Sequence, residues 1–190
     1  MIYNKEKREI ILKRKISNLD KFVIDFTNLL DKYVLVSGYV SILFGRARAT
    51  EDIDLLIPKC DFKNFEKLWE KIHKNGFECI NTSNVKDAFD MLNQFAIRFA
   101  RKNKAIPNME FKIIKNDLDN YSFNNKLKVI IGKNTLFISD LEMQIAYKKY
   151  LLKSDKDIED AMHLEGLFKE KLDYAKINKL KEIIQKRQDG

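Results

Sequence analysis

The sequence predicts an α+β fold, a mixed sheet flanked by helices and followed by a helical C-terminal part, and three observations carry that expectation. Up to residue 138, short β-favouring runs alternate with stretches of helical periodicity. Beyond Ser139 the periodicity is helical throughout. The composition supplies a core: 45% of the 190 residues are hydrophobic, with 13 Phe and 7 Tyr, while 6 Gly and 2 Pro are too few for a disordered chain. A chain of this length fits one domain with a helical extension. The expected division is a mixed body with its N-terminal helix over 1–138 and a helical part packed on it over 139–190.

The elements follow in order. Ser17-x-x-Asp20 has the form of a capping box opening a helix, whose Leu19, Phe22, Val23, Phe26, Leu29 and Leu30 share one face. Tyr33 to Val36 is a short β-favouring run, Ser37-Gly38 breaks it, and Tyr39 to Phe44 turns away as a helix. Asp52 to Ile57 returns to strand character and Pro58 closes it. Phe62, Phe65, Leu68, Trp69 and Ile72 then keep helical spacing up to Gly76. Phe77 to Ile80 reads as a strand, 85–92 as a helix, and 95–101 and 109–114 as strands. Residues 127–131 and 135–138 form a hairpin around Gly132-Lys133-Asn134. Ser139-x-x-Glu142 and Ser154-x-x-Asp157 each fit a capping box, and Tyr174, Ile177, Leu180 and Ile184 stripe a last helix.

Several function classes drop out. No apolar run approaches the roughly 18 residues of a membrane span, and no signal-peptide stretch follows the basic N-terminus, so the expectation is a cytoplasmic protein without membrane contact. Cys60 and Cys79 stand outside any CxxC or Cys/His cluster, which excludes a disulfide framework. His73 and His163 are isolated and receive no role. The net charge of +8 is concentrated at the ends: residues 1–15 hold six Lys/Arg against two acids, and 171–190 hold six against three. A second basic field, Arg98, Arg101, Lys102, Lys104, Lys112 and Lys115, surrounds the single acid Glu110. Basic fields attract phosphates, although charge runs are often only solvated faces.

The chemistry sits at Asp52-Ile53-Asp54. On a strand this spacing points both carboxylates to one face, with Ile53 and Leu55 on the other. Adjacent carboxylates repel, and a hard divalent cation such as magnesium relieves the repulsion while binding substrate phosphates. Fourteen residues before Asp52, Ser37-Gly38 lies at a strand-to-helix turn, where backbone N–H groups can meet phosphate.

The segment from Val36 to Ile57, VSGYVSILFGRARATEDIDLLI, resembles the nucleotidyltransferase superfamily that shares a polymerase-beta-like core. The family pattern is a hydrophobic residue, Gly-Gly or Gly-Ser, a spacer, and Asp-x-Asp or Asp-x-Glu between hydrophobic residues. Ser37 takes the place of the first glycine, Gly38 the second, and thirteen residues precede Asp52 and Asp54. The segment SDLEMQIAYKKYLLKSDKDIEDAMHL looks like the helical part of archaeal and AbiEii-like toxin nucleotidyltransferases, and the resemblance spans most of 33–168.

The resemblance implies a polymerase-beta-like mixed sheet and magnesium-dependent transfer of an NMP from an NTP, ATP favoured, to an acceptor hydroxyl. It implies Asp52, Asp54 and a third carboxylate on a neighbouring strand as catalytic residues holding two Mg2+ ions. Glu110, within the apolar run Met109–Lys112, fits that third position better than Asp117, which lies in a polar, turn-like segment. Ser37, Gly38, Arg46, Arg48, Thr50 and Lys148 are the implied nucleotide contacts. The alternative for the arginines is pairing with Asp52 and Asp54; for Asp157, a stabilising place at a helix N-terminus. RNA, at a tRNA end, or a protein is the implied acceptor, in a toxin–antitoxin context with a cognate antitoxin or toxin partner. The alternative is a non-catalytic nucleotide- or partner-binding module that retains the fold.

Overall fold

A computed structural model describes residues 1–188. Nine strands form one sheet in the order β1-β2-β8-β9-β3-β4-β7-β6-β5. They are β1 (Ile2–Asn4), β2 (Glu9–Leu12), β3 (Val34–Leu35), β4 (Asp52–Ile57), β5 (Phe77–Cys79), β6 (Ile97–Arg101), β7 (Asn108–Ile113), β8 (Leu127–Ile131) and β9 (Asn134–Ile138). The sheet is mixed. β4 runs parallel to β7 but antiparallel to β3, while β2 pairs parallel with β8 and β3 parallel with β9.

The helices are α1 (Asn18–Thr27), α2 (Gly38–Leu43), α3 (Phe62–Lys74), α4 (Val85–Gln94), α5 (Asp117–Asn124), α6 (Leu141–Tyr147), α7 (Asp155–Phe168) and α8 (Tyr174–Gln188). α6 runs on into a π-helical turn, Lys148–Leu152. Among the described residues no helix is long and apolar enough to cross a membrane.

The local chemistry explains most of these boundaries. Ser17 caps α1 with the full reciprocal box to Asp20. Asp61 and Asn84 cap α3 and α4 by accepting from backbone N–H groups one turn on. Phe26 of α1 meets Phe77, Phe99 and Phe111 from three adjacent strands, at ring separations of 5.0, 5.7 and 6.2 Å. This face of the sheet is therefore an aromatic core. It takes Ile53 and Leu55 of β4 inward and leaves Asp52 and Asp54 on the opposite face.

Four expectations are corrected. The N-terminal segment, read only as a basic run, holds β1 and β2, because Ile10 and Leu12 alternate inward beside β8. The polar segment around Asp117 is the helix α5, capped by Asn116, with Leu118 and Ser122 buried. Asp117 itself stays exposed at its first residue. α6 begins one residue later than its expected capping box: Asp140 is the cap, accepting from Met143 N–H at 2.8 Å. Tyr174 is exposed, so the buried stripe of α8 is Ile177, Leu180 and Ile184.

Candidate active site

The register of β4 and β7 builds the site. Asp54 lies directly opposite Glu110, and Asp52 opposite Asn108. On β7's other side Arg98 of β6 is opposite Glu110. Because the strands are adjacent and in register, Asp52, Asp54 and Glu110 share one face with Lys112 and Arg98.

Three carboxylates on one surface need compensation, and the chain supplies it. Lys112 Nζ donates to Asp54 Oδ1 at 2.7 Å and lies 3.1 Å from Glu110 Oε2. Arg98 donates to Glu110 Oε1 at 3.1 Å and reaches within 3.8 Å of Asp52 Oδ1. Asn108 Nδ2 donates to Asp52 Oδ1 at 2.7 Å. Burial first, and then the neighbouring Asp54, hold the Glu110 carboxyl above its ordinary range, against the opposing pull of Lys112. Burial pulls the Lys112 ammonium down, but Asp54 and Glu110 together outweigh it and raise it.

The turn between β3 and α2 closes one side of this face. Val36 N–H donates to the Asp54 carbonyl at 3.1 Å, so the turn is tied to the strand that carries the carboxylates. Ser37 follows at φ 63°, ψ −138°, a conformation that glycine adopts freely and serine does not. Its N–H donates to Gln144 Oε1 of α6 at 3.1 Å. A Cβ placed on Gly38 would come within 3.1 Å of the Arg48 guanidinium, so a residue without a side chain lets Arg48 lie against the turn. Thr50 donates to the Asp52 carbonyl at 2.8 Å and fixes the entry to β4.

Arg46, Arg48 and Lys148 converge on one carboxylate instead of on Asp52 and Asp54. Asp160 of α7, fully buried, accepts from Arg48 at 2.6 Å, from Lys148 at 2.8 Å, and from Arg46. Arg46 also pairs with Glu159, and Lys148 with Asp157 at 3.1 Å. Lys148 is 1% exposed. Three bases and three acids thus tie the loop before β4 and the π-helical turn after α6 to α7. Asp157 accepts from Ser154 Oγ at 2.5 Å in the first turn of α7, the helix-terminal place weighed for it.

There are two grooves to consider, of which only the first has one of the three carboxylates, Asp54, in its wall. One, of about 170 Å³, is lined by Ser37, Asp54, Lys112, Gln144, Tyr147 and Asp119, among others. The other, of about 780 Å³, lies between the start of α1, the 48–50 loop and the segment joining β6 to β7, with Lys21, Lys104, Arg101, Leu19 and Phe22 in its wall.

Asn108 and Gln144 were not picked out by sequence reasoning. Gln144 is one of two polar residues, with Glu142, in the short helix α6 and Asn108 leads a strand; neither carries a pattern of its own. Arg98 and Lys112 are legible in the sequence as part of the basic field around Glu110. Among the described residues no cluster of His, Cys, Asp and Glu is drawn together as a metal site. The donor set is nevertheless of the right kind: the oxygens of Asp54 and Glu110 are hard ligands, and an ammonium already stands between them as an internal cation. The residues present fit magnesium.

No family model and no curated protein matches the sequence. Solved structures do match. The crystal structure of ANT(2″)-Ia in complex with adenylyl-2″-tobramycin is 12% identical, over 90% of this chain and 97% of that one, with a TM-score of 0.55. The solution structure of the antibiotic-resistance factor ANT(2″)-Ia gives 11%, 92%, 95% and 0.59. The lincomycin-bound lincosamide antibiotic adenylyltransferase LnuA gives 14%, 80%, 98% and 0.51. The chain shares the fold of these solved structures, an α+β architecture built on a mixed sheet.

Proposed function

We propose that the chain is a magnesium-dependent nucleotidyltransferase that moves an NMP from an NTP, ATP favoured, to an acceptor hydroxyl. The observation that carries this reading is the register that sets Glu110 of β7 opposite Asp54 of β4, beside the turn at Ser37-Gly38. Asp52, Asp54 and Glu110 would hold magnesium, which when bound screens charge on the triphosphate and aligns it for attack. The acceptor oxygen forms a bond to the α-phosphorus, the bond from that phosphorus to the bridging oxygen breaks, and pyrophosphate leaves with the electron pair. Glu110, its carboxyl raised first by burial, would take the acceptor's proton. Ser37 and Gly38 would bring backbone to the phosphates, while Arg48, lying against Gly38, is held in place by Asp160.

The larger groove supports an anionic acceptor. Lys21 and Lys104 in its wall have no ion-pair partner among the described residues, and Leu19 and Phe22 add apolar surface. That combination favours RNA over a protein acceptor. The module reading is favoured by one observation, the Lys112 ammonium between Asp54 and Glu110, where a catalytic protein would seat a metal.

One experiment separates them: incubation with each α-labelled NTP, magnesium and either total RNA or protein, for wild type and for Asp54→Ala. Labelling of RNA by the wild type, lost in the variant, is expected. Magnesium-dependent NTP binding without label on any acceptor would leave the module reading standing and overturn this one.

A further inference from the structure

We propose that Lys112 is a tethered counter-cation: it neutralises Asp54 and Glu110 until a divalent ion arrives, then turns along the smaller groove to bind the polyphosphate of the nucleotide. This rests on the transferase reading above and deepens it by assigning a phosphate-binding residue.

Three observations converge. Lys112 Nζ bridges the two carboxylates at 2.7 and 3.1 Å, the position in which a bound cation would meet both. Two cations, Lys112 and Arg98, stand against the three carboxylates Asp52, Asp54 and Glu110, so the face remains net negative and still attracts a divalent ion. Second, the side chain is free to leave. It is 37% exposed on a flexible four-carbon stem, so relocation strands no charge in the interior. Third, the smaller groove joins Ser37 to Asp54, and among the described residues Lys112 is the only cation lining it. Arg46, Arg48 and Lys148 are committed to Asp160, and Lys148 is sealed from solvent. Asp119, the other ionic group in the groove wall besides Asp54, accepts from Lys115 N–H and Asn116 Nδ2.

The proposal requires opposite effects on two ligands. In Lys112→Met, Mn2+ binding without nucleotide, followed by electron paramagnetic resonance, tightens about tenfold as the competing charge is lost. ATP binding in the presence of magnesium, measured by calorimetry, weakens about tenfold as a charged contact to phosphate is lost. Lys112→Arg restores ATP affinity to near the wild-type value, and should Lys112→Met melt far below wild type, Lys112→Gln serves in its place. Unchanged affinities, or both moving in the same direction, overturn the proposal while wild-type ATP binding keeps the transferase reading. A wild type that binds neither Mn2+ nor ATP overturns both.

Discussion

Replacing Asp160 by Asn keeps the shape of the side chain and removes the one charge that Arg46, Arg48 and Lys148 share. The two guanidiniums keep 15% and 19% exposure and can turn partly to water, but Lys148, 1% exposed, is left with Asp157 alone at 3.1 Å. Removing one partner of a buried ion pair costs about 3–5 kcal/mol, because a charge stays behind without compensation. At roughly 2–4 °C of melting temperature per kcal/mol for a chain of this size, Asp160→Asn melts about 10 °C below wild type. Lys148→Met is the informative converse. It leaves Asp160 with two guanidinium partners and fills the stem's volume, so its cost is about 1 kcal/mol or less. Calorimetric melts and urea unfolding at pH 7 on both variants read the asymmetry. An Asp160→Asn variant within about 2 °C of wild type, or a Lys148→Met variant that loses more than Asp160→Asn, refutes the reasoning.

Ser37→Gly relieves a serine held at φ 63°, ψ −138°, and gains about 1 kcal/mol in urea unfolding; a loss would show that the hydroxyl stabilises the turn. Asp20 is fully buried, accepts from Arg14 at 2.6 and 2.9 Å, from Tyr39 and from Ser17, and has its carboxyl held below the ordinary range. Burial opposes that lowering and these hydrogen bonds outweigh it, so its contribution is present above the unfolded value near 3.8 and disappears as the pH falls through the folded one. Asp20→Asn should therefore be less stable than wild type at pH 7, with the gap closing in acid unfolding below that range. Glu110 has the opposite sign. Its carboxyl is raised, so its stabilising effect is complete below the ordinary value of 4.5 and is lost as the pH rises through the folded one. Glu110→Gln should gain stability relative to wild type across that rise, and wild-type Mn2+ affinity should increase over the same interval as the carboxylate forms.

The readable part of the site was the part carried by local spacing. Asp52 and Asp54 sit two apart in an apolar run, so one strand suffices to put them on one face, and Glu110 was recoverable as the acid in another such run. What set Glu110 opposite Asp54 is a parallel pairing between strands more than fifty residues apart, which no local pattern encodes. Arg46, Arg48 and Lys148 were visible as cations near the motif, but their shared partner lies 12 to 114 residues away and is chosen by how α7 packs. The same holds for the fold. α1, α3 and β8–β9 announce themselves through capping and turn residues, whereas β1 and β2 are short strands whose identity comes from β8. α5 was hidden because its Asp and Asn residues, which favour turns, here serve as cap and first turn.

The Asp160 knot and the parallel pairings also set an order on biosynthesis. A ribosome releases Asp52 and Asp54 before β7, β8, β9 or α7 exists, and of the strand pairings of β4 only the antiparallel one with β3 is then available. Asp160 is synthesised 106 residues after Asp54, roughly 5–20 s later at ordinary elongation rates. For about the first half of that interval the carboxylate strand lacks its β7 neighbour, and throughout it Arg46 and Arg48 lack Asp160. A product terminated before β7 therefore carries the whole Asp52–Asp54 motif without Glu110 and Lys112 beside it, and one terminated between β7 and α7 has that face but not the carboxylate that gathers Arg46, Arg48 and Lys148.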